Sequence, residues 1–416
     1  MTELIDLSGV EFWGRSPRDR DRSLAVLRRE APVSRQRPLD DPVLPGAAGD
    51  GYWAVVGHAE VVAVSRDPET YSSDARYGGV TMEALPPALA RATQSIIAMD
   101  APEHALLRRL VSSAFTPRRM SLMDAAIRRA ARDIVGAVAE PGREFDFVAE
   151  VAEPLPIWAI CEILGLDEPD RTWILPHANA MTGCRDPLFG GTDPIGALRD
   201  GLVAFGALTA ELIDDRRRHP GDDLISALAE AEVDGERLTD DEIAAFVILL
   251  VIAGNETTRH AIAHGVKALR DSPEQWAAVA ADPEGLLDGA VEEMVRWATP
   301  IMTFRRTVTR PALLGGHRVT PGESVVLFYE SANRDESVFE DPWRFDIRRR
   351  PNRHIAFGGG GPHFCLGAVM ARKQIRHLVA EVVTRLPGLE LAEPRYVLGN
   401  FINAIGTMAA TNGAKP

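Results

Sequence analysis

Apolar positions recur at three- and four-residue spacing along most of this chain, the period of helices that bury one face. The pattern predicts helices over 18–30, 58–66, 85–98, 103–113, 118–138, 145–164, 169–180, 195–217, 222–232, 239–270, 273–281, 284–298 and 366–386. Alternation with a period of two is rarer. It predicts a strand at Tyr52–Val56, and short strands or a hairpin where Ala312–Leu313 and Ser324–Phe328 flank the turn residues Gly315-Gly316-His317 and Pro321-Gly322. The tail 389–411 reads as strand broken by turns. The fold class is mainly α with small peripheral β-sheets. No Gly/Ser run, low-complexity stretch or repeat divides the chain, so a single domain over 1–416 is expected.

The helix predicted from 239 has the strongest start signal. Thr239-Asp240-Asp241-Glu242 is a capping box, and Leu238 and Ile243 occupy the two positions of a hydrophobic staple. About 30 residues at 1.5 Å each give roughly 45 Å, enough to cross a domain. Its apolar pattern is interrupted midway by Ala253-Gly254-Asn255-Glu256-Thr257-Thr258. A glycine inside a helix costs about 1 kcal/mol against alanine. A buried glutamate is costly unless paired or protonated. Adjacent threonines can bond back to carbonyls one turn earlier and bend the helix. Penalties clustered at one point of a buried helix point to function there; a kinked helix with a solvated glutamate is the plainer alternative. His260 and His264 follow at i, i+4, a zinc-compatible spacing, but without the catalytic glutamate of the zinc-protease motif or an evident third ligand.

A second unusual segment is Phe357-Gly-Gly-Gly-Gly-Pro-His-Phe-Cys-Leu-Gly367. Cys365 sits on a nearly side-chain-free loop at the start of a predicted helix, where backbone N–H groups and the helix dipole favour the thiolate. Such a thiolate is a nucleophile or a metal ligand, and the bare glycines let a flat group lie against the backbone. No second cysteine lies nearby: Cys161, Cys184 and Cys365 are widely spaced, which argues against a disulfide framework and a cysteine-pair zinc site.

Composition narrows the class. The formal net charge of −14 disfavours nucleic-acid binding. The longest apolar run, Ile243–Ala253, is too short for a membrane span, which needs about 20 residues. The start, Met-Thr-Glu-Leu-Ile-Asp, is acidic and lacks a signal-peptide core, so a cytoplasmic protein is expected. A local basic cluster (Arg344, Arg348, Arg349, Arg350, Arg353, Arg372, Lys373, Arg376) suits an acidic partner protein or is simply solvated charge.

Taken together, these segments resemble the cytochrome P450 family of haem-thiolate monooxygenases in its soluble bacterial style. The loop ending His363-Phe364-Cys365-Leu366-Gly367 is similar to the family's haem-binding loop, and Ala253–Thr258 to its oxygen-activation segment. Glu293-Met294-Val295-Arg296 resembles the Glu-x-x-Arg pair, and His104 and Arg108 match positions that bind haem propionates. The resemblance covers essentially the whole chain. Two features depart from the commonest pattern: one extra residue between Phe357 and Cys365, and Glu256 where many members carry Asp.

The resemblance implies the P450 fold, with haem b (iron protoporphyrin IX) between the central helix and the helix after the Cys loop. It implies Cys365 as axial iron ligand, with N–H groups near Leu366 and Gly367 tuning the sulfur and Phe357 covering the proximal side. His104, Arg108, Arg306 and His363 would hold the propionates. Glu256 and Thr257 would deliver protons, while Ala253 and Gly254 leave room for O2. Glu293, Arg296 and Arg344 would form a buried structural network, with Arg349 as alternative third member. The apolar pocket would draw on Val247, Ile301, Met302, Phe304, Phe401 and Ile402. The implied activity is insertion of one oxygen atom of O2 into a C–H bond of a hydrophobic terpenoid, sterol, fatty acyl or polyketide-like compound. Electrons would come from a separate ferredoxin and ferredoxin reductase, the ferredoxin docking on Arg118, Arg119, Arg372, Lys373 and Arg376. A peroxide-using peroxygenase and a non-enzymatic haem gas sensor or carrier are the alternatives; the Glu256–Thr257 pair argues against both.

Overall fold

The helix with the strongest start signal organises the molecule. It runs Asp240–Arg270 over 31 residues, and its capping box is formed: Thr239 accepts from the Glu242 N–H while the Glu242 carboxylate accepts the Thr239 N–H at 2.8 Å. Leu238 and Ile243 are buried in one apolar cluster beneath that cap. The computed structural model describes residues 5–40, 49–83, 94–114, 117–166, 168–182, 186–190, 193–233 and 235–413.

Two large cores meet along this helix. Its first half, through Ile243, Phe246, Val247 and Val251, packs with apolar residues of Glu103–Ala114, Pro154–Leu164, Glu168–Thr182, Pro194–Arg218 and Leu224–Glu230. Its second half, Ala261 to Leu269, packs with Pro117–Ala137, Pro273–Ala281, Pro283–Ala298 and Ala368–Arg385. Residues 252–260 belong to neither cluster. The polar interruption read from the sequence is therefore the seam between two cores.

The predicted helices hold to within a few residues, with two exceptions. The segment expected as one helix over 145–164 is a strand Glu144–Asp146, a π-turn Val148–Ala152 and a helix starting at Pro154. Pro154 has no N–H to continue a helical ladder but fits the first position of a new helix. Of the helix expected at 85–98, residues 84–93 lie outside the described residues, and Ile96–Ala98 forms a single 3₁₀ turn.

Strand content exceeds the expectation. A five-stranded sheet has the order Val33–Gln36, Tyr52–Val55, Ser324–Phe328, Thr303–Val308 and Tyr71–Ser72. Tyr52–Val55 and Ser324–Phe328 run parallel, and the other pairs are antiparallel. Ala312–Leu314 pairs instead with His317–Val319 as a hairpin. The tail supplies Leu389–Leu391 and Ala409–Asn412 to a three-stranded sheet with Glu144–Asp146. Strand Thr303–Val308, unforeseen in the sequence, carries Arg306; the two-residue period puts Phe304 and Arg306 on one face, Arg305 and Thr307 on the other.

Below this frame lies Glu293, with no exposed surface. Its carboxylate accepts two bonds from Arg296, both at 2.7 Å, and one from the Asp346 N–H at 2.9 Å. Arg349 Nε contacts both oxygens at 3.3 Å, and Asn352 donates at 3.1 Å. The expectation that Arg344 is the third member is corrected. Arg344 is exposed, and Arg349, whose N–H closes a turn on the Asp346 carbonyl, reaches Glu293 in its place. Removing one partner of a buried charge set costs about 3–5 kcal/mol. Glu293→Ala should therefore abolish recovery of folded holo-protein, whereas Arg344→Ala should leave yield and Tm unchanged. Normal yield of Glu293→Ala in a purification assay would remove the network from its structural role.

Candidate active site

Backbone conformation shapes the Cys loop. Gly358, Gly360 and Gly361 have φ of 108°, 93° and 78°, the left-handed region that side chains rarely adopt. A Cβ on Gly361 would stand 2.3 Å from the Ser65 carbonyl oxygen, so the loop lies directly on the end of helix His58–Ser65. These turns absorb the extra residue. The Cys365 N–H donates to the Phe357 carbonyl at 2.9 Å, so Phe357 stays beside the cysteine. The Arg372 guanidinium lies 4.3 Å from the centre of its ring.

Helix Ala368–Arg385 begins immediately after Gly367. Burial pushes the Cys365 thiol up, against N–H groups of Gly367 and Ala368 and the charges of Arg108 and Arg372, which favour the thiolate. The N–H donors are thus Gly367 and Ala368, one residue later than expected. Cys365 is nevertheless exposed by surface area. Leu366 beside it packs against the core on one side of the seam.

Four nitrogen-bearing side chains gather near this loop. The His104 and His363 rings are 4.3 Å apart, and Arg108 donates to the Phe364 carbonyl at 2.8 Å. Burial, then the charges of Arg306, His104 and Arg108, push His363 down to about 3. Burial likewise lowers Arg306, whose bond among the described residues goes to the Arg305 carbonyl at 2.8 Å. Asp100, whose field reaches both Arg306 and His104, is occupied by the Ser72 hydroxyl and the Ser73 N–H. Among the described residues, His363 Nε2 has no hydrogen-bond partner and no carboxylate is bonded to these four side chains. Donors held this close fit an anionic ligand. With the Cys365 thiol within reach of the Arg108 charge and glycines leading up to it, the residues present fit a haem with two propionates.

On the central helix, the Thr257 hydroxyl bonds back to the Ala253 carbonyl at 2.6 Å, the bond one turn earlier that the sequence foreshadowed, within an uninterrupted helix. Ala253 is exposed although it lies midway along a helix flanked by two cores. A Cβ at Gly254 would lie 2.4 Å from Ile160 Cδ1, so this glycine permits close packing of helix Pro154–Leu164.

Glu256 is 2% exposed and paired. It accepts from Arg259 at 2.6 Å and from Asn255 at 3.2 Å, and lies 3.4 Å from His260 Nε2. Arg259 also donates to Glu153 and, at 2.9 Å, to Asn179. Burial, then the Arg259 charge, hold His260 down at about 4, so the ring is neutral. The His264 Nε2–H donates to the Asn403 carbonyl at 2.9 Å. Glu153, Arg259 and Asn179 were not foreseen. The i, i+3 spacing of Glu256 and Arg259 was a visible signal, whereas Glu153 and Asn179 arrive from other helices.

The apolar candidates divide. Phe304 and Phe401 meet at 5.5 Å between ring centres, and Ile301 bridges Ile402. Met302 is corrected out of this group: it is 1% exposed, belongs to the core beneath the sheet, and its Sδ lies 3.2 Å from Arg20. Val247 is also corrected. It lies about 120° around the helix from Ala253 at 100° per residue, which turns it into the core. Half-buried Leu249 and Leu250 share the Ala253 side instead.

The basic residues proposed for docking are largely occupied. Arg372 pairs with Glu292, Lys373 with Asp124, and Arg376 with Glu284 and Asp288. The side chains of Arg118 and Arg119 lie outside the described residues. Arg348, Arg350 and Arg353 remain exposed just before the Cys loop. No described helix is long and apolar enough to cross a membrane.

Comparison with known proteins agrees with this geometry. Residues 285–387 match the family model described as Cytochrome P450. The methyl-branched lipid omega-hydroxylase of Mycobacterium tuberculosis is 44% identical over 98% of this chain and 94% of that protein. The steroid C26-monooxygenase of Mycolicibacterium smegmatis is 38% identical over 92% of this chain and 88% of that one. A Mycobacterium marinum cytochrome P450 solved in complex with pseudoionone superposes with a TM-score of 0.93 at 45% identity, covering 98% of both chains. A relative this similar over nearly the full length, on a fold with an exposed thiol beside a cluster of nitrogen donors, leaves one assignment: the chain belongs to the cytochrome P450 family of haem-containing monooxygenases.

Proposed function

We propose that this monooxygenase hydroxylates the chain end of a branched lipid-like or terpenoid-like molecule, at a haem b ligated by Cys365. The observation that carries the reading is the joint likeness to a methyl-branched lipid omega-hydroxylase and to an enzyme that accommodates pseudoionone. The paired rings of Phe304 and Phe401 with Ile301 and Ile402 support it, because they offer an apolar wall to a chain rather than polar anchors. The chain contains no Cys-x-x-Cys-His segment, which supports non-covalent haem.

Bound haem supplies the iron at which O2 is activated. Around it, Gly367 and Ala368 N–H groups stabilise negative charge on the Cys365 sulfur. Arg108 and Arg306 neutralise the propionates, and the uncharged rings of His104 and His363 offer N–H donors beside them. Thr257, on the Ala253 side of the helix, holds water for proton delivery, and Glu256 is the acid that resupplies it. Leu249, Leu250 and Ala253 complete the apolar boundary of the substrate space. Electrons come from a ferredoxin and its NAD(P)H-dependent reductase; exposed Arg348, Arg350 and Arg353, rather than the ion-paired Arg372, Lys373 and Arg376, offer the free positive charge for an acidic partner. The enzyme works as one domain in the cytoplasm.

Three measurements test this. The reduced carbon monoxide complex should show the red-shifted Soret band of thiolate ligation, lost in Cys365→His; an unshifted band in intact wild-type protein overturns the ligand assignment. Thr257→Ala should lower coupled turnover at least about tenfold and divert electrons to peroxide, the loss expected for general acid–base groups. Coupling at wild-type level in that variant would remove Thr257 from proton delivery. Branched fatty acyl and acyclic terpenoid probes should shift the haem spin state and yield terminal alcohols; binding of rigid polycyclic probes alone would reject the chain-end reading.

A further inference from the structure

Two carboxylates share one buried guanidinium beside the seam. Arg259 is 2% exposed. It gives one nitrogen to Glu256 at 2.6 Å and the other to Glu153, with Asn179 accepting at 2.9 Å and donating to Glu153 at 3.4 Å. The Arg259 Nε has no partner. His260, neutral, accepts the Ile405 N–H on Nδ1 at 3.3 Å, so its own N–H is on Nε2 and faces Glu256. The Glu256 carboxylate is thus engaged by Arg259, Asn255 and His260. Glu153, at the start of helix Pro154–Leu164, contacts the same cation from another element, and 12% of its side chain reaches solvent.

We propose that Glu153 is a positioning residue for proton delivery: it is the standing counter-ion of Arg259, which lets Glu256 leave the guanidinium and turn to Thr257. This rests on the reading of Glu256 and Thr257 as the proton-delivery pair. The physical reason is the cost of a stranded charge. If Glu256 were the sole partner, each departure would leave a buried cation unpaired. With Glu153 in place, the cation keeps one carboxylate throughout, so the motion of Glu256 exchanges one ion pair for another arrangement of the same charges. Asn179 holds Glu153 and Arg259 together while Glu256 is away. No proton passes through the guanidinium, which stays charged.

The test has two independent readouts. The first is thermal unfolding of holo-protein, needing no turnover. Either carboxylate alone satisfies Arg259, so Glu153→Gln and Glu256→Gln should each lower Tm modestly, and the double variant should lose at least about twice the summed loss. Additive losses overturn the sharing. If the double variant fails to fold, the cycle is read between Glu153→Gln and Arg259→Gln: once the guanidinium is gone, Glu153→Gln should cost no further Tm, and an undiminished cost overturns the proposal. The second readout is coupling. Glu153→Gln should raise the peroxide-to-product ratio roughly tenfold and increase the solvent deuterium isotope effect on turnover, with the carbon monoxide spectrum intact. Glu153→Asp should restore both, which a mere loss of stability would not predict. Wild-type coupling in Glu256→Gln would overturn the underlying proton-delivery reading, whereas uncoupling in Glu256→Gln with full coupling in Glu153→Gln would overturn this inference alone.

Discussion

The Glu293 carboxylate is the constraint on which the cysteine's position depends. It has no exposure and is saturated by donors from Arg296, Asp346, Arg349 and Asn352. Burying it costs several kcal/mol unless all those donors are in place, so they must be. Arg296 then uses its remaining nitrogen on the Asn333 and Pro342 carbonyls, both at 3.0 Å. Asn333 in turn accepts the Ile355 N–H at 2.8 Å, the Ile355 carbonyl accepts the Gly358 N–H at 2.9 Å, and the Phe357 carbonyl accepts Cys365. An unbroken series of bonds runs from a charge on helix Pro283–Ala298 to the sulfur-bearing residue. The cysteine loop, rich in glycine and poor in packing, borrows its rigidity from that charge.

The other half of the site follows from a packing problem. Two cores of different helices meet on one long helix, and residues 252–260 are where neither supplies apolar contacts. Polar side chains there do not displace hydrophobic burial; they occupy a seam that the cores leave free. Gly254 lets one neighbouring helix close against it, and Gly265, where a Cβ would fall 2.6 Å from Met294 Cγ, does so for another. Gly254 within the polar segment and Gly265 beyond it let two different helices close against the central helix, while Ala253 midway along it stays exposed.

Much of this was legible in the sequence because it is local. The capping box, the polar break in the helix and the thiol on glycines are each written within a dozen consecutive residues. What was missed is non-local. Thr303–Val308 becomes a strand because Ser324–Phe328 pairs with it, and nothing in its six residues announces the partner. Arg349 rather than Arg344 reaches Glu293 because a turn between them decides which side chain points inward. Met302 and Phe304 are two residues apart, yet they serve different surroundings: Met302 precedes the strand and turns to Arg20, while Phe304 joins Phe401. Glu153 and Asn179 sit on separate elements and meet Arg259 only in three dimensions.

The buried arginines show why a ligand is needed at one place and not at others. Arg334 has no carboxylate bonded to it, but it donates to the Trp297 carbonyl at 2.6 Å and the Arg296 carbonyl at 3.2 Å, at the electronegative end of a helix. Trp297 and Trp343 cover it at 4.7 and 4.5 Å. Arg305 donates to the Tyr77 carbonyl and the Ser324 hydroxyl, both at 3.1 Å, and so ties the 74–78 turn to the sheet. Arg259 has two carboxylates. Arg306, one residue from Arg305 and on the opposite face of the strand, has only its neighbour's carbonyl and the face of Phe304 at 5.8 Å. No carboxylate among the described residues is bonded to it; the field of Asp100 reaches it, and it stands with His104, Arg108 and His363. Desolvation is tolerated at the first three by partners the chain itself provides. At Arg306 the described residues supply a carbonyl and a ring face but no bonded carboxylate, and that leaves it, beside the Cys365 loop, suited to an anionic ligand such as a haem propionate.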